Sequence, residues 1–248
     1  MKIVAIGGGE IGRPGTQIET ESIDREIIAL TGKQNPKLLF LPTASTDSES
    51  YYDVIKGYFG ARLGCQTDVL YLIKEKPSFK EIEDKILGSD IVYVGGGDTK
   101  MMLEVWSENK VDEVLKKAAE KGVVLSGVSA GAICWFKYGN SDSKKFENGS
   151  TELIKIEGLG LIDLMACPHY DAEENRKPSL VRMIVQEGGM AVALENCTAF
   201  ELVDGKYRIL FSKESPKAYR LFRKGTLVVQ QYLPKDGKFR KIEELIKY

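Results

Sequence analysis

The sequence predicts an α/β protein of three layers: a mostly parallel central sheet with helices on both faces, plus C-terminal β-hairpins. The first observation is that short apolar runs, typical of buried strands, alternate with segments whose apolar residues recur at helical spacing. The second is a change after residue 190 to β-rich runs separated by turn signals. Strands that alternate with helices favour parallel pairing, because each crossover helix packs on a face of the sheet.

The elements follow this alternation along the chain. Strands are predicted at Lys2–Ile6, Lys37–Leu41, Asp68–Tyr71, Ile91–Val94 and Val123–Ser126. Helices are predicted at Glu21–Leu30, Tyr51–Leu63, Phe79–Leu87, Thr99–Glu108 and Val111–Lys121. Hairpin strands that extend or flank the sheet are predicted at Ala191–Leu194, Thr198–Val203, Tyr207–Phe211, Ala218–Arg223 and Leu227–Leu233. Without repeats or a linker, a single domain over residues 1–248 is the simplest interpretation.

The composition is that of an ordinary globular protein and excludes several partner classes. Of 248 residues, 43% are hydrophobic and 29% charged, and 35 basic against 36 acidic residues give a net charge of −1. This balance predicts no general attraction for nucleic acid or an anionic membrane. No apolar run is long enough to span a bilayer, and Met1–Gly7 is too short for a signal sequence. We expect a cytoplasmic monomer or homodimer.

The cysteines and the histidine limit the cofactors that the sequence predicts. Four cysteines are spread without a Cys-x-x-Cys pair, and the chain has one histidine, His169. A structural zinc site is therefore not expected, and the cysteines are interpreted as reduced thiols. Cys134, beside apolar neighbours, is predicted to pack in the core rather than to act as a nucleophile.

The segment Gly127-Val128-Ser129-Ala130-Gly131 carries the strongest chemical signal. It follows an apolar run and precedes small residues that can start a helix, as a serine nucleophile on a sharp strand-to-helix turn requires. The flanking glycines permit a strained backbone beside a substrate. Because Gly-x-Ser-x-Gly alone is a weak pattern, a tight turn with an inert serine is the alternative, and the preceding helix and glycine stop favour the catalytic interpretation.

Two other glycine-rich loops end predicted strands. Gly95-Gly96-Gly97 precedes a helix whose N-cap is Asp98 or Thr99, and it is either a tight turn or a source of oxyanion-binding amides. The segment Gly7–Gly12 satisfies Gly-x-Gly-x-x-Gly. A dinucleotide site is not expected there, because helical periodicity starts only near Glu21 and the second strand ends without an acidic residue.

His169 is the one imidazole available to activate Ser129, and it follows an apolar run and Pro168. A catalytic imidazole needs a group that orients it. Glu195 at the end of an apolar run is the first candidate, with Asp171 and Asp142 as alternatives. The polar segments Arg13–Glu21 and Asp142–Thr151 are candidates to cover the site.

The motifs at Gly95–Thr99, Gly127–Ala132, Pro168-His169 and Leu194–Asn196 together resemble the dipeptidase E and cyanophycinase family of serine peptidases. The resemblance implies a fold similar to class I glutamine amidotransferases, with no metal or cofactor. It implies Ser129 as nucleophile, His169 as base and Glu195 as orienting acid. It also implies an oxyanion hole built from the amides of Gly96, Gly97 and Ala130.

The two branches of this family differ in substrate. Dipeptidase E-like enzymes cleave dipeptides with N-terminal aspartate, whereas cyanophycinases cleave an aspartate-arginine polymer. Pro168-His169 resembles the first branch and implies a small peptide substrate, with Arg176 as the residue that grips the aspartate. Asp98 stands where that branch usually has asparagine, which resembles the second branch and makes Asp98 a substrate-contact candidate.

Two further hypotheses remain open from the sequence. A non-catalytic binding module on the same fold would need no histidine near Ser129. Hydrolysis of esters or glycans by the same residues is also compatible, because a triad does not specify the acyl donor.

Overall fold

The computed structural model describes residues 1–172 and 174–247 and confirms the α/β fold class. The strands of this part of the chain are β1 (Lys2–Ile6), β2 (Lys37–Leu41), β3 (Gln66–Val69), β4 (Ile91–Val94), β5 (Val124–Val128), β6 (Phe136–Ser141), β7 (Ile154–Glu157), β8 (Ile162–Cys167), β9 (Met190–Leu194), β10 (Thr198–Val203), β11 (Lys206–Phe211), β12 (Ala218–Lys224), β13 (Leu227–Tyr232) and β14 (Arg240–Lys241).

The α-helices are α1 (Glu21–Ala29), α2 (Glu49–Ile55), α3 (Phe79–Leu87), α4 (Thr99–Glu108), α5 (Val111–Glu120), α6 (Ala130–Ile133), α7 (Ser143–Asn148), α8 (Arg176–Glu187) and α9 (Ile242–Ile246). A short 3-10 helix spans Thr43–Ser45, and a π-helix continues α2 over Lys56–Arg62. The helix predicted at Tyr51–Leu63 therefore begins earlier, because the Ser48 side chain caps it by accepting the Tyr51 amide hydrogen.

The main sheet has eight strands in the order β14-β11-β10-β1-β5-β4-β2-β3. Strands β1 to β5 pair in parallel, as predicted, and β10 adds to β1 in the antiparallel sense. Strand β1 thus lies between β5 and β10, in the interior of the sheet. Its carboxyl end lies beside that of β5, where the sequence predicts the reactive serine.

Both faces of the main sheet are buried, which explains the continuous apolar runs in its parallel strands. Successive residues alternate between the faces: Ile3 and Ala5 belong to one apolar cluster, and Val4 and Ile6 to the other. The first cluster continues into α4 and α5, and the second into α1 and the π-helix. The predicted three-layer arrangement follows from this double burial.

A second, six-stranded sheet was not expected from the sequence. Its order is β13-β12-β9-β8-β6-β7, so three of the predicted hairpin strands join it, while β10 and β11 extend the main sheet. Strands β6 and β7 were missed because their polar residues interrupt the apolar pattern, whereas β8 is the apolar run that precedes Pro168. Asn140 and Ser141 of β6, for example, are fully buried polar side chains. Parallel pairing of β6 with β8 and of β8 with β9 builds the centre of this sheet.

Within the described residues, none of the helices combines the length and the apolar character that a membrane crossing requires.

Substitution of Gly131 is expected to destabilise the protein because α6 packs directly on β4. A Cβ at Gly131 would lie 2.2 Å from the Val94 carbonyl oxygen, which is backbone and cannot move freely. Gly131→Ala should lower the free energy of unfolding by about 1–3 kcal/mol in urea denaturation. Gly57→Ala is the matched control, since a Cβ there meets no atom within 4 Å. Equal unfolding midpoints for the two variants would contradict the packing argument.

A buried carboxyl on α1 predicts a pH-dependent stability. Burial raises the pKa of Asp24 from 3.8 to about 7, and hydrogen bonds from Thr20 and Tyr58 only partly oppose this. The folded state therefore retains a proton that the unfolded chain loses above pH 4. As the pH rises from 4 to 7, this group should reduce the free energy of unfolding by up to about 4 kcal/mol.

Asp24→Asn should lose this part of the pH slope in urea titrations between pH 4 and 8. Asp53→Asn, which removes an exposed carboxylate of α2, should keep the slope of the parent. A parent whose stability rises steadily across that range, with no change of slope in Asp24→Asn, would refute the assignment.

Candidate active site

Ser129 lies on a sharp turn between β5 and α6. Its backbone has φ 58° and ψ −110°, which a non-glycine residue adopts only under strain. The glycines on both sides are required by close packing: a Cβ at Gly127 would lie 2.5 Å from the Gly131 carbonyl oxygen and 2.6 Å from that of Val94. The local geometry is that of a nucleophile elbow, with a half-buried serine that lines the cleft at the end of the parallel strands.

His169 reaches the same place from the second sheet. It follows β8 after Pro168, with a positive φ of 52°. Its amide donates to the Gly7 carbonyl at 2.8 Å, while the Ser129 amide donates to the Ile6 carbonyl at 3.2 Å. Two consecutive carbonyls at the end of β1 thus hold the serine and the histidine, which lie far apart in the sequence.

Ser129 and His169 line one cleft of about 430 Å³. Residues from the loop after β1 and from α7 form its walls, so both predicted covering segments contribute to it. Of the other lining side chains, the sequence reasoning missed Tyr51 and Tyr93 altogether. It included the rest only as parts of longer segments: Glu10, Arg13, Glu19, Lys145, Phe146 and Asn196. The polar, glycine-containing composition of these segments was the signal that pointed to them.

The glycine loop after β4 faces the serine. A Cβ built on Gly96 would lie 3.3 Å from the Ser129 Cβ and 3.9 Å from its Oγ. Gly97 packs against the 3-10 helix, where a Cβ would lie 2.1 Å from the Ala44 carbonyl oxygen. The loop therefore needs glycine for close approach, whatever its chemical role.

Backbone groups from the loop after β4 and from the start of α6 lie beside Ser129. Burial raises the pKa of the Tyr51 phenol, and a hydrogen bond with the Gly96 backbone opposes that rise. Ala130 is the first residue of α6, so its amide has no acceptor within the helix. The Ala130 amide is available to a ligand beside Ser129.

The imidazole of His169 contacts Asn196. The two atoms, His169 Nδ1 and Asn196 Oδ1, are 2.8 Å apart. Glu195 does not take this place: its Oε2 accepts from the Lys217 amide at 2.8 Å and its Oε1 from the Tyr219 hydroxyl at 2.9 Å. The geometry corrects the assignment of Glu195 as the group in contact with the imidazole, because its carboxylate is directed at β12.

The two alternative acids occupy other positions. Asp171 Oδ1 accepts from the backbone amide of Asn196 at 2.9 Å and so supports the loop that carries the asparagine. Asp142 lies 3.5 Å from a guanidinium nitrogen of Arg176. Both carboxylates thus contact groups other than the imidazole.

Arg176 and Asp98 lie outside the lining of the cleft. Arg176 is the first residue of α8 and only 1% exposed, and it donates to the Asn140 carbonyl at 2.5 Å. Its burial against β6 corrects the prediction that it grips a substrate directly. Asp98 caps α4 by accepting the amides of Lys100 and Met101, so the cap interpretation describes its position.

The glycine run after β1 serves the same cleft. Helix α1 begins only at Glu21, so no helix N-terminus follows this loop as a dinucleotide site needs. A Cβ at Gly8 would lie 2.0 Å from Asn196 Oδ1 and 2.5 Å from His169 Nδ1. Gly8 therefore leaves the space that the histidine–asparagine contact occupies.

Cysteine and metal chemistry add no further group to this cleft among the described residues. All four cysteines are buried and none forms a disulfide, and burial raises the pKa of the Cys134 thiol well above its usual value. Within residues 1–172 and 174–247, no cluster of three or more His, Cys, Asp or Glu side chains is arranged to hold a metal ion.

Comparison with known proteins finds relatives that are named as peptidases. The uncharacterized peptidase YgaJ of Bacillus subtilis (strain 168) is 34% identical over 227 residues, covering 89% of this chain and 91% of that protein. Peptidase E of Nostoc sp. (strain PCC 7120) is 24% identical over 225 residues, covering 86% of each chain. The crystal structure of a peptidase from an acI-B1 Actinobacterium shares the fold, with a TM-score of 0.70 at 16% identity and coverage of 97% and 96%.

The sequence profile of peptidase family S51 matches residues 3–210, which include the serine elbow, the histidine and Asn196. This match confirms the family resemblance that the motifs indicated. The chain belongs to peptidase family S51.

Proposed function

We propose that the protein is a serine-type peptidase that hydrolyses short peptides, with dipeptides that begin with aspartate as its substrates. The observation that carries this proposal is that Ser129 and His169 are hydrogen-bonded to consecutive carbonyls of Ile6 and Gly7 and line one cleft. A non-catalytic binding module has no need of this convergence. The strained backbone at both residues also favours catalysis, since such strain is typical of active sites.

In the proposed mechanism, His169 Nε2 removes the proton from Ser129 Oγ as the oxygen attacks the peptide carbonyl carbon. The tetrahedral intermediate collapses when the imidazolium returns the proton to the leaving amine, so the C–N bond breaks and an acyl-serine remains. Water, deprotonated by the same imidazole, then attacks the ester. The imidazolium then returns this proton to Ser129 Oγ as the ester C–O bond breaks, which releases the acid and restores the enzyme.

The developing negative charge needs hydrogen-bond donors beside the serine. The amide of Ala130 at the start of α6 is one donor in this proposal, and the turn at Gly96 and Gly97 supplies the other. Tyr51 lines the cleft beside this turn. Removing one such donor in other hydrolases costs about 3–4 kcal/mol of transition-state stabilisation.

The charges in the cleft favour an acidic substrate. The Arg13 guanidinium is hydrogen-bonded to Glu10, and Glu19 lies 2.5 Å from the Lys213 ammonium. Among the described residues, no carboxylate is paired with Lys145, which also lines the cleft. We therefore assign to Lys145 the contact with a substrate carboxylate, in place of the buried Arg176.

Replacing the serine should abolish hydrolysis. Ser129→Ala is expected to lower kcat by about 10³-fold or more, because no other described group in the cleft can form the acyl intermediate. The measurement is hydrolysis of dipeptides that begin with aspartate, glutamate or a neutral residue. A fluorophosphonate probe should label the parent at Ser129 and not the variant. Full hydrolytic activity in Ser129→Ala would refute the proposed mechanism.

Replacing Lys145 should change substrate preference rather than chemistry. Lys145→Met is expected to lower kcat/KM for aspartyl dipeptides about tenfold, mostly through KM, and to leave neutral dipeptides nearly unchanged. Lys144→Met is the matched control, because Lys144 is the adjacent lysine and pairs with Glu152 outside the cleft. An equal loss for acidic and neutral substrates would argue against a carboxylate contact at Lys145.

A further inference from the structure

We propose that Asn196, and not Glu195, is the positioning residue of the imidazole, so that a neutral amide takes the place of the orienting acid. The proposal rests on the serine–histidine mechanism proposed above. It starts from the 2.8 Å contact between His169 Nδ1 and Asn196 Oδ1. A side-chain carbonyl oxygen only accepts, so the hydrogen of a neutral imidazole lies on Nδ1. Nε2 then keeps its lone pair, which is the form that a general base needs.

Glu195 is engaged elsewhere through both carboxylate oxygens. One accepts the Lys217 amide and the other the Tyr219 hydroxyl, and the Glu195 amide itself donates to the Lys217 carbonyl. This set of contacts ties Glu195 to β12 of the second sheet. Reaching the imidazole would cost at least two of these hydrogen bonds, one of them a charge-assisted bond to a backbone amide.

Asn196 is held where it is by the backbone on both sides. Its own amide donates to Asp171 Oδ1 at 2.9 Å, and the next amide, of Cys197, donates to the Gly8 carbonyl at 2.8 Å. Asp171 lies two residues after His169, so the loops that carry the imidazole and the amide are joined to each other. A supported loop of this kind fixes the side chain to within the tolerance that proton transfer requires.

The backbone of Gly8 passes directly beside the contact between the asparagine and the histidine. Gly8 passes so close that a Cβ there would overlap both Asn196 Oδ1 and His169 Nδ1. Its φ of 150° is one that side chains rarely adopt. Gly8 therefore leaves room for the two side chains to meet. This gives the first glycine run of the chain a role in the site.

A neutral positioning residue has a measurable consequence. It fixes the tautomer and orientation of the imidazole, yet it adds no negative charge to stabilise the imidazolium that forms when Ser129 is deprotonated. A carboxylate at the same position would add that charge and shift the imidazole titration to higher pH. A neutral and an acidic positioning residue thus predict different titrations of the imidazole, which can be measured without substrate.

Because the chain has a single histidine, the imidazole can be observed directly by NMR. In protein with ¹⁵N-labelled histidine, every imidazole resonance belongs to His169. We expect the parent to show the Nδ1–H tautomer at high pH. Asn196→Ala should lose that preference, Asn196→Asp should keep it and raise the titration midpoint by about one pH unit, and Glu195→Gln should keep both the tautomer and the midpoint. The aspartate variant, which keeps an oxygen acceptor, covers the case that the alanine variant does not fold.

Kinetics supply the second readout. Asn196→Ala should lower kcat by about 10²-fold with a much smaller change in KM, and Asn196→Asp should restore most of kcat while moving the acid limb of the pH profile upward. Glu195→Gln should lose less activity than Asn196→Ala and leave the acid limb in place. The proposal is overturned if Glu195→Gln, rather than Asn196→Ala, loses the Nδ1–H tautomer or the larger part of kcat.

The two proposals fail in different ways. If no peptide is hydrolysed but the imidazole spectra change as described, the peptidase mechanism is wrong and the positioning role stands. If peptides are hydrolysed through Ser129 while the spectrum and kcat of Asn196→Ala match the parent, the positioning role is wrong and the mechanism stands.

Discussion

Three successive carbonyl groups at the end of β1 organise the site. Those of Ile6, Gly7 and Gly8 accept the amides of Ser129, His169 and Cys197, at 3.2, 2.8 and 2.8 Å. The three donors come from three separate segments of the chain. Because β1 lies in the interior of the main sheet and is buried on both faces, these acceptors are fixed by the core. The relative positions of Ser129, His169 and the asparagine loop therefore depend on the end of one strand.

The two sheets meet at this point, and the chain passes between them through the residues after β9. Strand β9 belongs to the second sheet and β10 to the main sheet, so Glu195, Asn196 and Cys197 form the crossing. Glu195 is tied to β12 of the second sheet and Cys197 to the end of β1 in the main sheet. Asn196, between them, is the residue left to face the cleft, which explains why two adjacent polar side chains have such different surroundings.

Three residues with a strained backbone lie where the segments converge. Ser129, His169 and Cys197 have φ values of 58°, 52° and 65°, although none is glycine. Each such conformation costs on the order of 1–3 kcal/mol and persists only when its surroundings hold it. The hydrogen bonds to β1 and the glycine packing between α6 and β4 are those surroundings here. Stability of the core and precision of the site are thus supplied by the same contacts.

The sequence by itself determined the parallel half of the fold and pointed to the two residues that we propose for the reaction. The bounds of β1, β2, β4, α3 and α4 agree with prediction, because apolar periodicity and capping are local properties of the chain. Ser129 and His169 were found from a strand-to-helix glycine pattern and a unique imidazole, and they converge on one cleft.

Only the tertiary structure decided which neighbours these residues have. The second sheet brings Asn196 to the imidazole, directs Glu195 at β12 and buries Arg176 against β6. The sequence offered Glu195 and Arg176 because charge suits both roles. The local sequence does not determine the direction in which a loop side chain points, because hydrogen bonds to distant strands set that direction.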